Sequence, residues 1–150
     1  RPASTFVASF IGSPAMNLFN TRVEVESPSV MLGGQPVKLF PETALELRGR
    51  DVTVGIRPEQ CLVSIEGAGV PATVDFVEEL GSGRIVHAEI AGETFSAAIG
   101  EDLLVKPGQR IHFELPPAHL HFFDPATGKR IETEGAIETT RIGNEKLLAV

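Results

Sequence analysis

The sequence has a single cysteine, Cys61, and neither tryptophan nor tyrosine among its 150 residues. A lone cysteine cannot form an intramolecular disulfide, which is typical of proteins from a reducing cytosol. An oligosaccharide-binding barrel would need exposed aromatic platforms, and most of the nine Phe residues fall on predicted core faces. A sugar-binding module is therefore kept only as an alternative.

Positive charge is also scarce. The 13 Lys and Arg residues are outnumbered by 20 Asp and Glu residues, which gives a formal net charge of -7, and no basic run exceeds two neighbours. Binding to a nucleic-acid backbone needs clustered positive charge, so we expect no nucleic-acid partner. No apolar run approaches the roughly 20 residues of a membrane-spanning helix. Because the N-terminus lacks both a signal-peptide pattern and a Met, we expect a fragment or a processed product.

Short apolar alternation, in contrast, is abundant. Hydrophobic residues make up 42% of the chain, and 15 Gly and 11 Pro punctuate it. Every second residue is apolar in six segments, at residues 23–25, 52–56, 70–76, 86–90, 95–99 and 111–115. This period is typical of half-buried strands, and no amphipathic helices separate the segments. The pattern predicts a single compact domain over residues 1–150, with an all-β antiparallel barrel.

One short helix is predicted at the start of the chain, over residues 1–12. Phe6, Val7, Phe10 and Ile11 form one apolar stripe at helical spacing, and Gly12 can supply the left-handed residue that ends the helix. About two turns are too short to be stable alone, so the stripe should dock on another part of the protein.

The first five residues of the stretch MLGGQP (residues 31–36) differ at two positions from LSGGQ, the signature of ABC-type ATPases. Leu32 stands where that signature has a serine, and a leucine cannot donate a hydrogen bond to phosphate. Pro36 biases Gln35 away from helical geometry, whereas the true signature opens a helix. We therefore predict a Gly-Gly hairpin turn between two strands.

A phosphate-binding loop is missing as well. The pattern G-x-x-x-x-G-K-S/T would have to use Gly128 and Lys129, but Phe123 occupies the first glycine position and Arg130 follows the lysine. We expect no ATP hydrolysis by this chain alone.

Metal and hydrolytic sites are equally weak in the sequence. His119 and His121 would share one face of a strand, with His112 on a neighbouring strand, but no Cys partner and no HxxE spacing accompanies them. No G-x-S-x-G elbow is present. Glu78 and Glu79 are adjacent and would point to opposite faces of a strand. We therefore expect no metal and no catalytic residue in this chain.

Three stretches resemble one protein family. Residues 6–17, FVASFIGSPAMN, closely resemble the segment that follows the nucleotide-binding domain in ATP-binding subunits of sugar-import ABC transporters. Residues 55–59, GIRPE, and residues 121–131, HFFDPATGKRI, resemble two further motifs of these subunits. The three stretches occur in the family's order and at its spacing.

The resemblance implies the C-terminal regulatory domain, of the TOBE or molybdate-protein-like OB type, of a subunit serving an importer for maltose-like sugars, polyols or glycerol phosphate. ATP and Mg would then bind in a nucleotide-binding domain outside this chain, and no cofactor would bind here. The implied location is cytoplasmic, peripheral to the inner membrane. The implied partners are a second copy of the subunit, the transmembrane permease subunits and an inhibitor protein.

The resemblance also suggests roles for residues of the first stretch. Three of them would anchor the linker helix, two would end it, and Asn17 would bond backbone at the turn into the first strand. These residues are Phe6, Phe10, Ile11, Gly12, Pro14 and Asn17.

In the second stretch, Gly55, Arg57, Pro58 and Glu59 are the interaction candidates. Arg57 and Glu59 are two apart, so on a strand they would face the same way, with Pro58 confined to an edge or a strand end. The alternative is a pair that only stabilises the fold. In the third stretch, which includes His121 and Phe123, Asp124 and Gly128 are predicted turn residues.

Two regions match the family poorly. Residues 27–50 are expected to be loop-rich, and the tail, residues 132–150, extends beyond the shared pattern. A free-standing molybdate- or tungstate-binding barrel is the remaining alternative. Such proteins resemble one another through an S-x-R-N-x-L element, of which residues 17–19 reproduce only a part.

Overall fold

The computed structural model of the protein describes residues 15–133. The predicted helix over residues 1–12 and nearly all of the tail lie outside the described residues. The same holds for the helix anchors and terminators, which are Phe6, Phe10, Ile11, Gly12 and Pro14. Asn17 is the one residue of that set that the structure describes.

The described part of the chain is built mainly from strands. The strands are β1 (Asn17–Arg22), β2 (Ser29–Leu32), β3 (Gln35–Lys38), β4 (Asp51–Ile56), β5 (Leu62–Ser64), β6 (Val70–Leu80), β7 (Gly83–Ile90), β8 (Glu93–Ile99), β9 (Arg110–Glu114), β10 (His121–Phe123) and β11 (Arg130–Ile131). One α-helix, α1 (Pro41–Leu47), and two 3-10 helices, Pro58–Gln60 and Pro117–His119, connect them. Every strand pairing is antiparallel, which confirms the predicted fold class.

The larger sheet has five strands in the order β5-β9-β6-β7-β8. Four of its strands, β6 to β9, coincide with the predicted segments from residue 70 onward, because alternate residues there face the core. Val86, Ala88 and Ile90 of β7 are buried, and so are Phe95 and Ala97 of β8. Both β5 and β8 are edge strands of this sheet.

The smaller sheet has the order β1-β4-β10-β11. In it β4 is central, pairing with β1 from Asn17↔Ile56 to Arg22↔Asp51 and with β10 on its other side. The predicted strand over residues 23–25 is wrong, since β1 ends at Arg22. Its alternation reflects an isolated bridge between Glu24 and Ser29 instead.

The stretch MLGGQP forms a β-hairpin, as predicted. Leu32 in β2 pairs with Gln35 in β3, and Gly33 and Gly34 between them have φ values of 57° and 79°. Two consecutive left-handed residues make the tight turn that suits the twist of a hairpin. Gly33 also lies close to Ile90, so a Cβ at this position would come within 2.9 Å of the Ile90 Cγ2 atom.

The expectation of a loop-rich segment over residues 27–50 is wrong. It contains the β2–β3 hairpin and α1, whose Ala44 and Leu47 are buried while Leu45 is 55% exposed. Seven residues are too few for a helical period to stand out, and Phe40 at the N-cap makes no side-chain cap bond. Pro41 at the start of the helix and Glu42 in its first turn are local signals of this helix. Among the described residues, no helix has the length and apolar character needed to cross a bilayer.

Aromatic rings join the two sheets in the core. Phe19 of β1 lies with its ring centroid 5.9 Å from that of Phe95 in β8, and Phe95 meets Phe113 of β9 edge to face at 6.2 Å. Phe95 and Phe113 are fully buried. Burying one such side chain contributes roughly 1.5–3 kcal/mol, so these contacts fix the packing of sheet on sheet.

Candidate interaction site

Asn17 links the two sheets through its side chain. Its Nδ2 donates to the Ser96 carbonyl at 2.8 Å, and its Oδ1 accepts from the Ser96 N–H at 2.8 Å. Asn17 is 6% exposed. It bonds backbone, as expected, but the backbone is that of edge strand β8 and not that of its own turn. The Asn17 side-chain amide therefore bonds both backbone groups of Ser96, as the backbone of a neighbouring strand would do at this sheet edge.

The Arg57–Glu59 stretch passes beside the same edge strand. The strand placement predicted for these residues is wrong, because β4 ends at Ile56 and Pro58 begins a 3-10 helix that packs near β8. The Gln60 N–H donates to the Arg57 carbonyl at 2.9 Å. Pro58 is buried, Arg57 is half-buried and Glu59 is exposed. The two charged side chains therefore do not share a strand face, and an interaction role for them stays a prediction.

Gly55 leaves room for a tight contact between strands. A Cβ at this position would come within 2.5 Å of the Met16 Sδ and within 3.1 Å of both Leu18 Cδ2 and Phe123 Cε2. Met16 and Phe123 form a small buried cluster of their own, with Leu18 against it. Gly55 of the motif is therefore a packing residue.

Cys61 is a structural thiol. It is 4% exposed, its Sγ lies 3.6 Å from the Asn17 Nδ2, and it lies 3.7 Å from the Arg57 carbonyl that it donates to. Burial raises the pKa of the Cys61 thiol from its ordinary value of 9.0 to about 12, with the Asn17 hydrogen bond acting in the opposite direction. A thiol that keeps its proton at neutral pH is a poor nucleophile and metal ligand.

A polar chain that the sequence did not reveal continues from Ser96 to the protein surface. The Ser96 hydroxyl lies 2.9 Å from the His87 Nδ1, and the His87 Nε2 lies 2.9 Å from the Glu78 Oε1. The Phe76 ring stacks on the His87 ring, with centroids 4.4 Å apart and planes 18° from parallel. These four residues belong to three adjacent strands, so only the sheet register brings them together.

The hydrogen bonds from Ser96 and Glu78 hold the His87 ring in place. The Ser96 N–H is bonded to the Asn17 Oδ1, and the Ser96 hydroxyl lies beside the His87 Nδ1. Ser96 is also 9% exposed in the middle of β8. Its hydroxyl is placed to orient the His87 ring.

The third stretch forms the predicted turn. The Asp124 carboxylate accepts from the N–H groups of Ala126 at 2.8 Å and Thr127 at 3.2 Å, and the Asp124 carbonyl accepts from the Gly128 N–H at 2.7 Å. Gly128 has a φ of 72°, as expected for this position. Phe123 is fully buried, which makes it part of the packing.

The histidines considered as metal ligands are spread over the fold. His112 lies in β9 of the larger sheet, His119 in a 3-10 helix and His121 in β10 of the smaller sheet. The strand geometry expected for His119 and His121 is therefore not formed. Within residues 15–133, no group of three His, Cys, Asp or Glu side chains is arranged to hold a metal ion.

Comparison with known proteins assigns two domain families to the chain. Residues 12–61 match the MalK OB fold domain and residues 54–123 match the TOBE domain. Over all 150 residues the chain is 85% identical to the sn-glycerol-3-phosphate import ATP-binding protein UgpC 2 of Agrobacterium fabrum. The chain therefore belongs to the MalK OB fold and TOBE domain families. It is also 39% identical, over 132 residues and 88% of its length, to UgpC of Yersinia pestis.

The chain spans 40% of the length of the Agrobacterium relative and 37% of that of the Yersinia relative. Its fold is similar to that of the cytoplasmic molybdate-binding protein ModG in a crystal form with molybdate bound. That similarity has a TM-score of 0.59 and 15% identity, and it covers 73% of this chain and 96% of the ModG chain. At this identity the similarity concerns the fold alone, and it agrees with the predicted OB-like architecture.

The hydrogen bonds of Asn17 connect residues that match different domain families. Asn17 lies in the segment that matches the MalK OB fold domain, whereas Ser96, His87 and Glu78 lie in the TOBE segment. Residues 54–61, which include the whole GIRPE stretch, belong to both matches. The hydrogen bonds between Asn17 and Ser96 therefore join the two family segments.

Proposed function

We propose that this chain is a non-catalytic regulatory and dimerisation domain of the ATP-binding subunit of an ABC importer for glycerol phosphate or a related sugar or polyol. The observation that carries the proposal is the 85% identity, over the whole chain, to an import ATP-binding protein of which the chain spans 40%. ATP and Mg would bind in the remaining part of such a subunit. The MLGGQP hairpin, in which Leu32 replaces the signature serine, is consistent with that division.

In this role the domain holds two ATPase subunits together while their catalytic domains open and close. A permanent contact between regulatory domains raises the effective concentration of each catalytic domain at its partner, so ATP-driven closure becomes an intramolecular step. An inhibitor protein bound to the regulatory domain would act by favouring the open state. The other partners are the permease subunits, and the location is the cytoplasmic side of the inner membrane.

Self-association of the 150-residue chain tests the dimerisation role. Sedimentation equilibrium from micromolar to millimolar concentration should show a reversible monomer–dimer equilibrium. Weak association is sufficient, because the permease subunits and nucleotide also hold the assembled pair. A strictly monomeric chain at millimolar concentration would contradict the proposal.

A further inference from the structure

A β-bulge turns one aromatic ring to the outside of the larger sheet. Val74 pairs with Ala88 and Phe76 pairs with His87, so Asp75 between them is an extra residue in β6. Alternation from Val74 would have pointed Phe76 into the core, as the sequence pattern predicted, but the bulge leaves it 52% exposed. Bulges commonly re-aim a side chain in this way.

The bulge is built into the fold. The pairing of β6 with β9 ends at Thr73↔Arg110. Val74 then forms two backbone bonds with the preceding turn, donating to the Gln109 carbonyl at 2.9 Å and accepting from the Gly108 N–H at 2.7 Å. The bulge between Val74 and Phe76 therefore lies next to the point at which β9 begins.

The exposed ring is held in one orientation. Phe76 stacks on His87, and His87 is bonded on both ring nitrogens, to Glu78 and to Ser96. A side chain that is already ordered loses little entropy when it binds a partner, which is a property of residues that dominate protein interfaces. The polar chain behind Phe76 thus prepares an exposed apolar group for contact.

Further apolar groups lie on the same face of the sheet as Phe76. Leu80 follows at even spacing along β6 after the bulge and is 41% exposed. Ile85, opposite Glu78, is 5% exposed although it does not belong to the core cluster. Ala98, opposite Ile85 in β8, is exposed. We call the face formed by Phe76, Glu78, Leu80, Ile85 and His87 the Phe76 surface.

An acidic depression adjoins the Phe76 surface. It is an open cavity of about 490 Å³ with Asp75, Glu89, Thr73 and Arg110 in its wall. Asp75 precedes Phe76, and Glu89 lies two residues after His87 on the same face of β7. With Glu78, three carboxylates and one guanidinium border the apolar groups, so the local charge is negative.

The charge of this region selects its occupant. A second copy of the chain docking through the same face would bring identical carboxylates together across a two-fold axis, which disfavours that contact. We propose that the Phe76 surface binds a segment of another protein that carries an apolar side chain flanked by Lys or Arg. The apolar side chain packs on Phe76, and the cation lies toward Asp75 and Glu89. This inference rests on the proposed function, because it names the chemistry of a regulatory partner of this domain.

Peptide binding tests the inference directly. The probes are two synthetic peptides of equal length with identical leucines, one carrying lysines between them and the other glutamates. Backbone NMR shifts of the labelled 150-residue chain should change at residues 75–80 and 85–89 with the lysine peptide and not with the glutamate peptide. Equal binding of both peptides, or shifts confined to other surfaces, would overturn the proposal.

Three variants locate the effect. Phe76→Ser should raise the dissociation constant of the lysine peptide at least ~10-fold, and Glu89→Lys should weaken the lysine peptide while favouring the glutamate peptide. Leu45→Ser, which removes an equally exposed side chain from α1, is the matched control and should bind as the parent chain does. Unchanged binding by Phe76→Ser would refute the inference.

Self-association of the same variant separates this inference from the dimerisation role. Phe76→Ser should sediment as the parent chain does, because the proposed occupant is not a second copy. Loss of self-association in Phe76→Ser would identify a second copy as the occupant and overturn the inference. A monomeric parent chain that still binds the lysine peptide through Phe76 would contradict dimerisation and support the inference.

Discussion

The two ends of the polar chain between Asn17 and Glu78 differ in burial and therefore in what they can do. At the inner end, Asn17 and Ser96 are 6% and 9% exposed and bond each other twice. At the outer end, Phe76 is 52% exposed and the Glu78 side chain 48%. Asn17, which lies in a family motif, therefore holds the two sheets together, whereas the Phe76 surface, which we propose binds a partner, lies outside the motifs.

The largest effect should come from removing the inner end. Asn17→Ala deletes both hydrogen bonds to Ser96 and leaves a buried N–H and a buried carbonyl unsatisfied. We expect a loss of about 3 kcal/mol in the free energy of unfolding, measured by urea denaturation. Thr94 lies in β8, the strand of Ser96, and is exposed, so Thr94→Ala should change stability by less than about 0.5 kcal/mol. Equal losses of unfolding free energy in the two variants would show that Asn17 does not hold the fold together.

Gly55→Ala should have the next largest effect. The added methyl group would meet Met16, Leu18 and Phe123, and overpacking of this kind costs typically 1–3 kcal/mol. Combining it with Met16→Ala should cost less than the sum of the two single changes, because the smaller side chain relieves the closest contact. Strict additivity in the urea midpoints would show that this contact does not limit the position.

Phe76→Ser should have a much smaller effect on folding than on binding. The ring is half exposed and contributes mainly its stacking on His87, so we expect a loss of less than about 1 kcal/mol. A thermal or urea unfolding curve measures this. A loss as large as that of Asn17→Ala would mean that Phe76 is a fold residue, and the contrast between the two ends would disappear.

The reactivity of the Cys61 thiol measures whether the buried region around Asn17 stays closed to solvent. Its thiol should react with a disulfide reagent at pH 8 at least ~10-fold more slowly in the native chain than in urea. Because the folded pKa is raised from 9.0 to about 12, the protonated thiol favours the folded state. That contribution is complete below pH 9 and is lost as the pH rises toward 12. Fast native labelling would show that the Asn17 contact opens readily.

Molybdate should have no measurable effect. The similarity to ModG concerns the fold, and the described cavity beside Phe76 has more carboxylates than guanidinium groups in its wall. Calorimetric titration of the chain with molybdate should therefore give no saturable heat. A saturable signal would favour the alternative of a free-standing oxyanion-binding barrel.

Local sequence pattern predicted those parts of the fold that local rules decide. Alternation located β6 to β9, since one face of each is buried, and the glycines of MLGGQP predicted their hairpin. The helix α1 was missed because seven residues with an exposed Leu45 show little periodicity. The outward turn of Phe76 was missed for a different reason, since it depends on an extra residue in the register of β6 against β7, which alternation within β6 does not show.

The residues of the candidate site also divide into those that local sequence predicted and those that depend on strand register. Asn17, Gly55 and Asp124 lie in stretches that resemble the family, and the structure gives each a packing or bonding role. Ser96, His87 and Glu78 are brought together by the register of three strands, which no local pattern specifies. Arg57 and Glu59 do not share a strand face, because β4 ends at Ile56 and a 3-10 helix begins at Pro58.

The coding sequence upstream of Arg1 tests most directly whether this chain is the regulatory part of an ATP-binding subunit. We predict a continuous reading frame that carries G-x-x-x-x-G-K-S/T and a true LSGGQ. A start codon immediately before Arg1 would contradict it and would make ligand binding by a free-standing barrel the leading hypothesis.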